Sequence, residues 1–261
     1  MSTTERITTV SGPRTATDVS SAARAETLRP QSAKQAENGT RWLNESEVKE
    51  IVSKRRGYIR FKRVFDVINA SAQLVLFSPV LLLSMLAIKL YDRGPVFFRQ
   101  ERITGGPGGP RLFKILKFRT MVVNAEALGA KITEKADPRI TPFGAFLRKF
   151  KIDEVPQLWN ILLGDMSFVG PRPQTLGYVE LFRDHYEKIH SVVPAGLTDL
   201  ASIRFSDEGG ILSAADDPER VYVEKIMPDK IRCHQEYVRK MNLGLDMSIL
   251  WQTITRVFFK R

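Results

Sequence analysis

"VINASAQLVLFSPVLLLSMLAI", residues 67–88, contains no charged side chain and decides what kind of protein this is. A helix needs about 20 consecutive apolar residues to cross a hydrocarbon core, so a transmembrane span is the first reading. Ser78-Pro79 in its middle argues otherwise. Proline removes one helical hydrogen bond and crowds the preceding turn, which predicts a kink. The Ser78 hydroxyl can satisfy the carbonyl that the proline frees, so the helix can survive at membrane depth.

The charges on either side sharpen the choice. Lys54, Arg55, Arg56, Arg60, Lys62 and Arg63 precede the segment, and Lys89, Arg93, Arg99 and Arg102 follow it. Positive residues favour the cytoplasmic side of a membrane. If both flanks obey that bias, the helix enters, bends at Ser78-Pro79 and returns to the same face. A re-entrant helical hairpin is therefore favoured over a straight crossing.

Upstream, residues 1–43 are rich in Ser, Thr, Ala, Arg and Gln and show little apolar periodicity, so they read as a disordered arm. Glu5, Asp18, Glu26 and Glu37 argue against a transit peptide there. The whole chain carries a net charge of +11 and is 43% hydrophobic. It can bury a core, and it calls for an anionic partner: nucleic acid, an acidic membrane or a phosphorylated small molecule. Its one cysteine, Cys233, excludes an internal disulfide and fits a reducing compartment. His185, His190 and His234 lack metal-ligand spacing and read as packing or surface residues.

Downstream, residues 95–121 hold two strand-like runs around Gly105, Gly106, Gly108 and Gly109, a hairpin signature. Those glycines lack the frame of a phosphate-binding loop and read as a turn. Thr141-Pro142 is an N-cap followed by an N1 proline. Phe143, Phe146, Leu147 and Phe150 then form an aromatic stripe, either core or membrane-facing. Further helices are expected near 176–190, 218–226, 230–241 and 246–259, the last amphipathic and suited to a surface anchor.

Between these lies "KIDEVPQLWN", residues 151–160, with Asp153 and Glu154 ahead of a proline and an apolar run. The plain reading is a helix start, since Asp caps and Glu suits a first turn. The chemical reading notes that a helix N-terminus keeps a carboxylate ionised and attracts phosphate. Carboxylates on consecutive helical residues diverge by about 100°, which favours separate roles over a shared proton. They could also hold Mg²⁺, completed by diphosphate oxygens. Arg119, Arg148 and Arg172 come from neighbouring segments and could converge on them. Arg172 stands between Pro171 and Pro173, either a solvated turn residue or a preorganised anion clamp.

Taken together, "KFRTM", "DPRITPFGAFLRKFKIDEVPQLWNILLGDMSFVGPRP" and the Ser-Pro-broken apolar segment resemble the bacterial sugar transferase family of small monotopic polyprenyl-phosphate phosphoglycosyl transferases. The resemblance is strong over about residues 58–200 and weaker beyond. It implies an enzyme at the cytoplasmic face of the bacterial inner membrane that passes a sugar 1-phosphate from a UDP-sugar to a polyprenyl phosphate. By that resemblance Asp153 attacks the β-phosphate, releasing UMP, and Glu154 assists through Mg²⁺ or proton handling. Arg148 and Arg172 would hold phosphates or nucleotide. The stretch "GLTDLASIRF", residues 196–205, departs from the family pattern, with Asp199 and Leu200 in place of a small residue and Trp.

The expected architecture is α+β and mostly helical: a disordered arm over 1–43, a basic flank and re-entrant membrane helix over 44–94, and a cytosolic catalytic domain with a small β-hairpin over 95–261. Its partners would be a UDP-sugar, a polyprenyl phosphate and membrane lipid, with no nucleic acid. A non-catalytic, membrane-tethered basic protein that binds anionic lipid or nucleic acid is the rival. It accounts for the charge and the anchor, but not for an Asp-Glu pair, proline-framed loops and several arginines within about 55 residues.

Overall fold

The computed structural model describes residues 41–125 and 137–259. Most of the expected N-terminal arm lies outside the described residues. Its last residues do not behave as a free arm: Leu43 is buried, and its backbone N–H donates to the Gln235 side chain at 3.0 Å. Trp42 packs against the His185 ring with 4.4 Å between centroids.

Helix α1, Glu45–Asp92, is one continuous element that unites the basic flank with the apolar segment. Asn44 caps it by accepting from the Glu47 N–H at 2.9 Å, and Glu45 and Glu47 complement the N-terminal dipole. Helical structure runs through Pro79 without interruption, so two separate helices joined at Ser78-Pro79 are not seen. The Ser78 hydroxyl does donate to the Val75 carbonyl at 2.7 Å. That carbonyl is the one a residue at 79 would otherwise have bonded, so serine repairs what proline removes.

Part of the basic flank turns inward. Arg55 donates to the Met241 carbonyl, Lys62 pairs with Asp246, and Arg63 donates to the carbonyls of Ile161 and Leu162 at 2.6 and 2.8 Å. These contacts fasten the first half of α1 to the globular part, and Ala70 and Leu74 extend that packing into the main core. Past Pro79 the helix touches the domain again. Leu81, Met85 and Ile88 pack on a second cluster built from Phe118, Leu147, Phe97 and Phe143. The remaining faces leave Val75, Leu76, Leu82, Leu83, Leu86 and Leu90 exposed.

The expected hairpin is present: β1, Phe97–Thr104, pairs antiparallel with β2, Arg111–Phe118, from Phe97 opposite Phe118 to Thr104 opposite Arg111. Helix α2, Pro142–Lys149, starts at Thr141, whose side chain accepts from the Gly144 N–H at 2.9 Å. The aromatic stripe divides. Leu147 is buried and Phe143 half-buried, while Phe146 and Phe150 stay exposed.

Next come a 3₁₀ turn at Ile152–Glu154, helix α3 at Gln157–Leu163 and strand β3 at Met166–Val169. Strand β3 pairs in parallel with β4, Ala195–Thr198, a pairing the sequence did not announce. The expected helix near 176–190 is two, α4 (Leu176–Leu181) and α5 (Arg183–His190), parted at Phe182. Short helices α6 (Leu200–Arg204), α7 (Glu208–Ser213) and α8 (Pro218–Val221) lead through a π turn at Tyr222–Ile226 into α9 (Met227–Lys240) and α10 (Leu243–Phe259). The core lies where β3, β4, α5 and α9 meet the first half of α1.

Candidate active site

The site grows from three neighbouring segments: the end of β2, the turn between α2 and α3, and the loop after β3. The first two are locked together at Thr120. Its carbonyl accepts from the Thr141 N–H at 3.0 Å, and its hydroxyl accepts from Arg148 Nε at 2.8 Å. Gly144 is required there, because a Cβ would come within 2.0 Å of the Thr120 oxygen. The Thr120 motif and α2 therefore fix the Arg148 guanidinium jointly.

Asp153 is not the N-cap that the sequence allowed. Helix α3 begins at Gln157 with Pro156 at its cap position, and Asp153 and Glu154 sit in the preceding 3₁₀ turn. Lys151 opens that turn with φ 59°, a left-handed conformation that a non-glycine residue seldom adopts. Asp153 is only 8% exposed, and its Oδ1 has no hydrogen-bond partner. Burial, and then the charge of Glu154, push its carboxyl above the ordinary carboxylate range, while Lys117, Lys151 and Arg148 pull it back. The expectation of a carboxylate held ionised by a helix dipole is thus corrected. Burial and four surrounding side chains shift its pKa, and it lies ahead of the first turn of α3.

Glu154 has the opposite character. Its Oε1 accepts from Arg172 Nη2 at 2.5 Å and from Lys117 Nζ at 3.2 Å. Burial opposes its ionisation, but Arg172, Lys117 and Lys151 outweigh burial and hold the carboxyl well below its usual range. The two adjacent acids are therefore differentiated, one locked ionised in a salt-bridge network and one buried with an idle oxygen. That division comes from their partners and burial in the 3₁₀ turn.

Arg172 is a fastened clamp. Its Nη1 donates to the Leu197 carbonyl at 2.7 Å, and its backbone N–H donates to Asp199 at 3.1 Å. Pro171 accepts from the Gly196 N–H at 2.9 Å, tying the loop between Pro171 and Pro173 to β4. Gly196 allows that approach, since a Cβ there would lie 2.0 Å from the Gly170 oxygen.

Asp199, the residue that departs from the family pattern, is the bracket behind this loop. It is 1% exposed, and besides Arg172 it accepts from the Ser202 N–H at 2.6 Å and contacts His234 Nε2 at 2.6 Å. His234, read from sequence as ordinary packing, thus supports the clamp through Asp199.

The structure joins Arg148 and Arg172 to the acidic pair and adds Lys117 and Lys151, which sequence reasoning passed over. Lys117 could have been found, since it opens the "KFRTM" motif. Asn160 fixes its strand, accepting from the Leu116 N–H at 2.9 Å and donating to the Lys114 carbonyl at 3.0 Å. Arg119, the third expected arginine, instead lines a cleft beneath α1 with Ile88, Tyr91, Met121, Thr141 and Phe143. Ser78 and Pro79 lie in the apolar part of α1, away from this chemistry.

An Mg²⁺ ion fits these donors in part. Oδ1 of Asp153 is buried without a hydrogen-bond partner, Oε1 of Glu154 is taken, and no cluster of three His, Cys, Asp or Glu side chains exists among the described residues. The protein could supply one or two oxygens, and a bound diphosphate would complete the shell.

The sequence profile described as bacterial sugar transferase matches residues 57–260. A UDP-glucose:undecaprenyl-phosphate glucose-1-phosphate transferase of Caulobacter vibrioides is 38% identical over 196 residues, covering 74% of this chain and 68% of that protein. A UDP-N-acetylgalactosamine-undecaprenyl-phosphate N-acetylgalactosaminephosphotransferase of Aeromonas hydrophila is 35% identical over 202 residues, 77% of this chain but 44% of that protein. The exopolysaccharide production protein ExoY of Rhizobium meliloti is 38% identical over 215 residues, with 77% and 86% covered. The match takes in the apolar helix, the acidic pair and the arginine loop alike, and the chain belongs to the bacterial sugar transferase family.

Proposed function

We infer that this protein is a transferase that moves a sugar 1-phosphate from a UDP-sugar to a polyprenyl phosphate at the cytoplasmic face of a bacterial membrane. This is the first membrane step in building a surface polysaccharide or glycoconjugate. The observation that carries the reading is Asp153, a buried carboxylate with an idle oxygen in a ring of Lys117, Arg148 and Lys151, next to an acid already neutralised by Arg172. A purely lipid-binding basic surface has no use for such a group.

Phosphoryl transfer asks mainly for positioning and charge stabilisation. A carboxylate oxygen of Asp153 attacks the β-phosphorus of the donor, and the bond from that phosphorus to the bridging oxygen breaks. The electron pair leaves with UMP. An oxygen of the polyprenyl phosphate then attacks the aspartyl phosphosugar, breaking the bond to Asp153 and restoring the carboxylate. Lys117, Arg148 and Arg172 offset charge on the phosphate oxygens, and Glu154 keeps Lys117 and Arg172 in place. Mg²⁺, held by diphosphate oxygens with Asp153 or Glu154, would relieve repulsion between the carboxylate and the phosphates.

The membrane placement rests on α1. Its 18-residue apolar window is mostly unburied and leaves Val75, Leu76, Leu82, Leu83, Leu86 and Leu90 exposed, which suits contact with lipid. Contacts with one globular body come both before Pro79, at Ala70 and Leu74, and after it, at Leu81, Met85 and Ile88. Contact with one body on either side of Pro79 supports re-entry over a crossing. Spanning would require about 20 residues clear of the domain. Exposed Phe146, Phe150, Trp159 and Trp251 suit the same lipid surface. Reporters at residues 50 and 95 are expected on the cytoplasmic side together, and finding residue 50 outside would remove the re-entrant arrangement.

The direct test incubates the protein with Mg²⁺ and a panel of UDP-sugars without lipid and reads intact mass. A phosphosugar adduct that maps to Asp153 is the expected result, and it identifies the donor. If UMP release requires polyprenyl phosphate and no adduct forms, the transfer is direct. No UMP in either assay returns the protein to lipid binding.

A further inference from the structure

We propose that Arg102 binds the phosphate of the departing nucleotide, so that Lys117, Arg172 and Arg102 form one strip for the donor diphosphate; this rests on the transferase reading above. In the hairpin Phe98 lies opposite Lys117 and Arg102 opposite Phe113. Cross-strand partners share a face and side chains alternate, so Lys117 and Arg102 project from the same face. They are four residues apart along it, about 13 Å.

The Arg172 loop leads to the edge of β1 at Arg102. A backbone bridge joins Arg102 to Thr175, just after that loop, and the Tyr222 hydroxyl donates to Gln174 at 3.0 Å beside it. The charge of Arg172 is felt by both Lys117 and Arg102, so its guanidinium is near both.

The three cations differ in what neutralises them. Lys117 and Arg172 share Glu154. Arg102 is half-buried and donates only to neutral oxygens, the Gln100 side chain at 2.5 Å and the Glu101 carbonyl at 3.3 Å. Both belong to its own strand, so these bonds hold no two parts of the fold together. Among the described residues no carboxylate pairs with it. Burial, followed by the neighbouring Arg172, pulls its pKa to about 10 even though Tyr222 opposes the shift.

A desolvated guanidinium without a counter-ion is costly, and an arriving phosphate removes that cost. When Asp153 attacks, the phosphorus–oxygen bond breaks and the electron pair stays on the nucleotide phosphate. A cation at the far end of the strip stabilises that leaving group and needs no proton. The same chemistry would also suit the phosphate of the polyprenyl acceptor, so the test must separate the two.

Full-length protein in detergent or nanodiscs would be compared with Arg102→Gln and Arg102→Lys. Direct binding of UMP and the KM values for UDP-sugar and polyprenyl phosphate would be measured. Loss of one charge-assisted contact predicts UMP binding weaker by about ten- to a hundredfold and a similar rise in donor KM. Acceptor KM should stay constant, with partial rescue by lysine. A rise in acceptor KM alone would assign Arg102 to the lipid phosphate and overturn the proposal. Unchanged UMP binding in a folded Arg102→Gln would also overturn it while leaving the transferase reading intact. If the wild type neither binds UMP nor releases it from any UDP-sugar, both fall together.

Discussion

Asp153→Asn is expected to lower UMP release by at least about 10⁴-fold, the scale on which losing a covalent nucleophile acts, and to raise the melting temperature. The first effect follows because an amide cannot form the acyl phosphate. The second follows from linkage. Burial and Glu154 raise the folded carboxyl above its unfolded value, so the folded state holds that proton more tightly. Its favourable contribution to stability is complete below the unfolded pKa, about 3.9, and disappears as pH rises through the raised folded value. At neutral pH the ionised group therefore destabilises the fold.

Asparagine removes that charge. The side chain keeps its shape and a polar oxygen, so the gain comes from the lost charge alone and should appear as a raised melting midpoint. Melting curves at pH 5 and pH 8 should show a larger gain at pH 8. Wild-type turnover should fall on acidification at a pH above the ordinary aspartate range, as the nucleophile takes up its proton. A variant that is both active and no more stable would sink the nucleophile and the burial argument together.

Where signals are local, the sequence carried the fold. Thr141-Pro142 and the hairpin rest on residues that act within a few positions, and each is where it was expected. The β3–β4 pair was illegible. "MSFV" is buried at every position and shows no alternation, "AGLT" has little strand preference, and their partnership spans α4 and α5.

The site divides in the same way. Arg172 was visible because prolines on both sides announce a rigid loop. Its attachments were not, since Asp199 and His234 meet across 35 residues. Lys117 acquires its partner only when the hairpin register and Asn160 place it. The surroundings of Asp153 differ from the sequence expectation because a 3₁₀ turn stands where a helix start is expected. Local sequence does not reveal how deeply a carboxylate will be buried.

The other large effect concerns Arg172, whose three donors reach Glu154, the Leu197 carbonyl and Asp199. Arg172→Ala leaves Glu154 with Lys117 as its direct partner. Breaking a buried pair by removing one member costs about 3–5 kcal/mol, and the lower end applies because Arg172 is still about a third exposed. Arg172→Lys keeps the charge but cannot bridge Glu154 and Leu197 at once, so it should recover stability better than turnover.

The pH dependence should also change. In the wild type the depressed Glu154 carboxyl contributes stability above its unfolded pKa, lost only as pH falls through the low folded value. Without Arg172 burial persists and the main counter-charge is gone, so that loss moves to higher pH. Adding Glu154→Gln to Arg172→Ala removes the orphaned charge. The double variant should then be more stable than the sum of the single effects predicts, by about 0.5–3 kcal/mol of coupling, while turnover stays as low as in the worse single variant. Additive stabilities would mean that Glu154 and Arg172 act independently, and Asp153 would then have to be positioned by Lys117 and Arg148 alone.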